Sequence, residues 1–326
     1  MQVVAIGGGT GLSTLLRGLK PHVAEPRRPA GLRPVITRLT AIVTVTDEGG
    51  SSGRLRRDFG MLPPGDIRNC LVALAEDEQL LTRLFTYRFT SGRGLAGHSF
   101  GNLFLAALTR LTRDFAEAVR LSSEVLAVRG EILPSTLSDV RLKARLADGS
   151  TVYGESRITR TPKPIRRVEL VPRGGRPLPE ALDAIDKADL ITLGPGSLYT
   201  SLIPNLLVRG VADHIARARA VRVLVANLMT QPGETRDYTA SDHLRAIQEH
   251  AGGRRLFDYI VLSTEPLASR LRRRYAAEGA VPVIRDLDQV NKLGVRPVEA
   301  RLLGEDHVVR HDPGRLAQLL LRLARD

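Results

Sequence analysis

Apolar runs at residues 39–46, 190–193, 221–226 and 259–262 each break off into a loop of glycines, hydroxyls, amides or acids, with helix-patterned segments between them. That grammar dictates a parallel sheet, because parallel strands are buried on both faces and need helical crossovers to point the same way. The predicted fold is therefore α/β and Rossmann-like, a mostly parallel sheet covered by helices. Open sheets of this kind bind ligands outside the carboxyl ends of their strands, where all four polar loops fall. A shared cleft is the expectation.

The chain opens in the same way. A short apolar strand, residues 2–6, runs into Gly7-Gly8-Gly9-Thr10-Gly11 and then into an apolar-periodic helix. Glycines let a backbone approach a ligand closely, and the unpaired N–H groups of a helix start favour an anion, so phosphate is the natural guest. The spacing matches neither the dinucleotide fingerprint, because Leu12 stands where its last glycine belongs, nor a P-loop, because no Gly-Lys-Ser/Thr follows. A tight strand-to-helix turn is the plain alternative.

With 326 residues, 43% of them hydrophobic, the chain can bury one large α/β core or two smaller ones. No apolar stretch is long enough to span a bilayer and no leader pattern precedes the first strand, so a cytoplasmic protein is expected. The single Cys70, set in an apolar run, agrees with a reducing compartment and excludes Cys-based metal sites. The formal charge of +13 comes from 48 basic residues spread along the whole chain, with only 4% aromatic residues to stack on bases. Specific nucleic-acid binding is therefore not expected, whereas small anionic ligands suit the charge.

The alternation divides the chain into three parts. Residues 1–124 form a Rossmann-like N-terminal part with the glycine loop. Residues 125–172 read as a β-rich insertion, with β-like segments at 140–146, 151–158 and 166–171 around an Asp148-Gly149 turn, and a structural or oligomer-facing role. Residues 173–326 complete the same sheet and cleft.

Taken together, Gly7–Ser13, Asp47-Glu48-Gly49-Gly50-Ser51-Ser52-Gly53-Arg54-Leu55-Arg56, Pro64-Gly65-Asp66-Ile67-Arg68-Asn69, Gly97-His98-Ser99-Phe100-Gly101-Asn102 and Asn227-Leu228-Met229-Thr230-Gln231-Pro232-Gly233-Glu234-Thr235 resemble the YvcK-type gluconeogenesis factors. Those share a superfamily with the 2-phospho-L-lactate transferases, and the resemblance covers nearly the whole chain in motif order. It implies a Rossmann-like bacterial cytoplasmic protein that binds UDP-sugars, notably UDP-N-acetylglucosamine, and supports cell shape and wall synthesis on gluconeogenic carbon sources. It implies no established catalytic activity. The transferase relatives use Mg²⁺ and an acidic strand end; Asp47-Glu48 stands here for their usual Asp-Asp, which puts metal binding there in question.

Each loop also has chemistry of its own. Gly9, Thr10, Gly11 and Leu12 would present N–H groups to a diphosphate, and Gly196 and Ser197, after Gly194, would do so from a second strand. Asp47 would accept a bond from a sugar hydroxyl, or hold a hydrated Mg²⁺ with Asp66, or merely cap its turn. Ser51, Ser52 and Arg54 supply hydroxyls and a guanidinium for phosphate oxygens, the alternative being an exposed turn before a solvated basic helix. Asp66 also suits the N-cap of a helix that carries Asn69. His98 and Asn102, four apart and flanked by glycines, face one side of a helix start. Asn227, Thr230, Gln231 and Glu234 make an amide-rich loop suited to a uracil edge or an acetamido sugar. Asp242 and His243 read as capping and surface residues.

No zinc pattern occurs, and no catalytic residue is assigned. The leading expectation is a nucleotide-sugar-binding regulator acting on a cell-wall protein partner. The alternative is a Mg²⁺-dependent phospholactate- or phosphoenolpyruvate-type transferase.

Overall fold

The computed structural model describes residues 1–24, 35–76, 78–304 and 308–325. Seven strands form the main sheet: β1 (Gln2–Gly7), β2 (Arg38–Val43), β3 (Glu131–Pro134), β7 (Leu190–Leu193), β8 (Val221–Val225), β9 (Tyr259–Ser263) and β10 (Arg296–Ala300). All are parallel, in the order β10-β9-β8-β7-β1-β2-β3. β4 (Arg141–Leu146), β5 (Thr151–Tyr153) and β6 (Ile165–Val171) make a separate antiparallel sheet in the order β5-β4-β6.

The period of two along β1 decides which core each side chain joins. Val3 and Ala5 pack on one face with Leu15, Leu16 and Leu71, while Val4 and Ile6 pack on the other with Ile191, Ile203 and Ile247. The first face is covered by helices Gly9–Leu19, Gly65–Leu74 and Pro313–Leu323. Gly18 lets two of them meet: a Cβ there would lie 1.9 Å from the Pro313 carbonyl oxygen. The antiparallel sheet packs into the second core through Leu142, Ala144, Val168 and Leu170.

Two local readings change. Residues 131–134, grouped with the insertion by sequence, form β3 and close one edge of the main sheet. The run 151–158 stops being strand at Gly154, whose φ of +85° and left-handed backbone turn the chain into the short helix Glu155–Ile158.

The chain leaves β1 toward β2 on one side, and β7 pairs with β1 on the other. The strand order therefore reverses between β1 and β7. That reversal opens a crevice above their carboxyl ends.

Candidate functional site

Two turns meet at the crevice, residues 8–11 after β1 and 194–197 after β7. A Cβ on Gly11 would stand 2.2 Å from the Pro195 carbonyl oxygen, so only glycine permits this approach. Gly8 is extended, and Gly9, with φ of +61°, starts the 11-residue helix Gly9–Leu19. Thr10 and Gly11, in its first turn, keep N–H groups with no partner among the described residues. The Leu12 N–H, expected to face a ligand, instead donates to the Gly8 carbonyl at 3.5 Å, and its side chain is fully buried.

The second turn is fixed by Asn227. Its Oδ1 accepts the Gly196 N–H at 3.1 Å and its Nδ2 donates to the Gly196 carbonyl at 2.8 Å. Gly196 thus has no N–H to offer, and the chain continues into one wide turn, Leu198–Leu202, and four helical residues, Ile203–Leu206. Only the first turn carries a full helix dipole.

The cavity above these turns measures about 680 Å³, within the usual range for small-molecule sites. Of the expected residues, Gly9, Thr10, Gly11, Asp66, Gly196, Ser197, Asn227, Thr230 and Gln231 line it. Gln231 Nε2 donates to Ser197 Oγ at 2.8 Å, and Gln231 Oε1 has no partner among the described residues. Sequence reading missed Glu155, Tyr275, Arg310 and His311, which also line the cavity. Burial holds the His311 imidazole near pKa 4, and among the described residues its Nε2 is unpartnered, so the neutral ring keeps a free acceptor.

The other expected residues surround the cleft or serve the fold. Glu234 is buried, its Oε1 accepting from Thr200 Oγ1 at 2.7 Å and its Oε2 from the Tyr199 N–H at 2.9 Å, so it anchors the turn after β7. His98 Nδ1 pairs with Ser51 Oγ at 2.9 Å, and burial together with the Arg54 charge lowers its pKa. Arg54 donates to the Ala96 carbonyl at 2.9 Å. Arg68 donates to Asn102 Oδ1 at 3.1 Å and to Asn69 Oδ1 at 2.8 Å, while Asn102 Nδ2 reaches Ser52 Oγ at 3.4 Å. Gly194 donates its N–H to Ile6. The capping reading of Asp242 holds, since Thr239 and Asp242 form a reciprocal cap.

Asp66 is no helix cap; Pro64 occupies that position without a side-chain bond. Its carboxyl accepts from the Gly9 backbone and sits against the glycine turn, where a Cβ on Gly8 would come within 2.6 Å of Oδ2. Burial, then the Asp47 charge, raises its pKa to about 7. Asp47 closes its own turn, with Oδ1 accepting the Gly49 N–H at 2.7 Å, and hydrogen-bonds to Glu155. Burial and the charges of Asp47 and Asp66 push Glu155 well above the carboxylate range, and the Glu48 N–H donates to its Oε2 at 3.3 Å. Three carboxyls from separate elements thus meet at one wall of the cleft.

This is the carboxyl-end crevice of a doubly wound α/β protein, lined by a glycine turn and an acidic wall. The model of the family described as 2-phospho-L-lactate transferase CofD matches residues 3–303, so the chain belongs to that family. It is 45% identical over 326 residues to the gluconeogenesis factor of Bacillus subtilis, covering 100% of this chain and 98% of that one. The gluconeogenesis factor of Halalkalibacterium halodurans is 48% identical over 321 residues, covering 98% of this chain and 95% of the relative. A crystal structure of a Bacillus halodurans protein superposes with a TM-score of 0.91 at 48% identity, covering 98% of this chain and 99% of that one.

Proposed function

We propose that the cleft binds a UDP-sugar, UDP-N-acetylglucosamine first among them. In this reading the chain is a cytoplasmic regulator that supports cell shape and cell-wall synthesis during gluconeogenic growth through a protein partner. The observation that carries it is one cavity joining unpaired helix-start N–H groups to unpartnered acceptors on Gln231 and His311. The N–H groups suit a phosphate, and the acceptors suit a base N–H or sugar hydroxyls. The names of the similar proteins support the gluconeogenic context.

The acidic wall supports a second reading, a Mg²⁺-dependent transferase. A carboxylate beside a phosphate cradle repels the ligand unless a proton or a cation stands between them. Among the described residues no three acidic, His or Cys side chains form a complete metal cage. Mg²⁺, however, needs only one or two carboxylates when substrate phosphates complete its shell, so Asp66 and Glu155 fit that role. Bound there, the ion would neutralise phosphate charge. Asp47 would hold Glu155 in place, and the glycine turn would orient the phosphate.

The test is calorimetric titration with a panel of nucleotide sugars, with and without Mg²⁺, followed by chromatography of each mixture. Saturable binding without product supports the regulator. A product that scales with protein and disappears in Asp66→Asn supports the transferase.

A further inference from the structure

A second pocket lies behind the acidic wall, between the helix Gly50–Phe59 and the β4–β5 hairpin, with a volume of about 390 Å³. Its lining includes four guanidinium groups, Arg56, Arg57, Arg141 and Arg157, against one carboxylate, Glu48. The balance is strongly cationic. Arg56 is 5% exposed, unlike the solvated basic helix that its run of arginines suggests.

Arg56 is also incompletely paired. Its Nη2 donates to the Val140 carbonyl at 2.8 Å and to Asp139. Among the described residues its Nε and Nη1 have no hydrogen-bond partner, and Glu48 Oε1 stands 3.7 Å from Nη1. Burying a guanidinium with two idle donors is costly unless an anion completes the set. Arg57 and Arg157 are exposed and make no ion pair among the described residues, and Arg141 reaches Glu48 only at 3.9 Å. Gly154 lets the Glu48 carboxylate pack against the backbone at one end of the pocket, since a Cβ there would lie 2.1 Å from Glu48 Oε2.

We propose that this pocket binds a phosphoryl group, carried by a small metabolite or as free phosphate, at a site separate from the cleft. Guanidinium forks match phosphate oxygens in geometry and charge, and four arginines on one concave surface exceed what Glu48 and Asp139 can neutralise. The site stands whether or not the cleft takes a nucleotide sugar.

Tyr153 lines the pocket and the chain has no tryptophan, so Tyr153→Trp places a unique fluorophore at the site. Inorganic phosphate and a hexose monophosphate are titrated into this variant at constant ionic strength. The expected result is a saturable change in tryptophan emission, with affinity weakened by roughly tenfold in each of Arg57→Ala and Arg157→Ala, equivalent to one lost charge-assisted contact. Both arginines are exposed, so an unchanged thermal midpoint verifies folding. Tighter binding of the hexose monophosphate identifies a metabolite, and equal or tighter binding of phosphate identifies the free ion. Emission that does not saturate, that responds equally to chloride, or that is indifferent to loss of both arginines overturns the proposal.

Discussion

The carboxyl of Glu155, on the short helix after β5, hydrogen-bonds to the carboxylate of Asp47 beyond β2. The antiparallel sheet therefore does more than fill a surface: it lays one wall of the cleft. A second contact points the same way, because a Cβ on Gly233 would fall 1.8 Å from the Thr159 carbonyl oxygen. The amide-rich loop after β8 and the end of the Glu155 helix are pressed together.

Those carboxyls set a pH dependence of stability. A pKa raised in the folded state means that folding retains a proton which the unfolded chain releases, so stability is full below the unfolded value and declines as pH rises. For Asp66 the decline runs from about pH 4 to about pH 7, and Glu155 extends it upward. In the absence of divalent cations, Asp66→Asn and Glu155→Gln should raise the thermal midpoint at pH 8 by roughly 1–2 °C for each kcal/mol relieved. At pH 5 the gain should shrink. Equal gains at both pH values would contradict this.

Helix packing away from the cleft gives a control. Gly18→Ala forces a methyl into the Pro313 carbonyl and should cost about 1–3 kcal/mol, read as a lower urea midpoint. Ligand affinity should not move, because Gly18 lies at the far end of the helix that starts in the cleft.

The strands were legible because buried parallel strands read as unbroken apolar runs, and the glycine turn because no other residue allows its geometry. What stayed hidden depends on distance along the chain. Nothing local marks Glu155, one acid in a half-exposed hairpin, as a partner of Asp47. Tyr275 follows β9 and Arg310 and His311 follow β10, strands that stand beyond β7 and β8 from β1, so nothing local to their segments marks their approach to the cavity. Glu234 and Arg56 mislead for the opposite reason: one reads in sequence as a ligand contact and the other as part of a solvated basic helix, yet burial turns the first into an anchor and the second into a pocket floor. The expected pair of phosphate-binding helix starts became one, because the segment after β7 is too short and Asn227 takes the Gly196 N–H.

A charge of +13 makes non-specific binding to nucleic acid unavoidable at low salt. Counterion release predicts that duplex DNA binding collapses between ~50 and ~200 mM salt. On the proposed reading UDP-N-acetylglucosamine is held also through base and sugar contacts and should lose far less over that range. Parallel titrations of the two ligands check the contrast, and sequence-selective DNA binding that survives high salt while the sugar nucleotide is lost would reverse it.

The central claim is that the glycine turn after β1 holds the ligand's phosphates, and the UDP-N-acetylglucosamine Kd of Gly11→Ala relative to wild type tests it most directly. A methyl at Gly11 must part the two turns by displacing the Pro195 carbonyl, so affinity should fall by at least roughly tenfold while the protein still unfolds cooperatively. Saturable wild-type binding at physiological salt with that loss is the predicted result. No saturable wild-type binding, or a Kd unchanged in Gly11→Ala, would contradict the account.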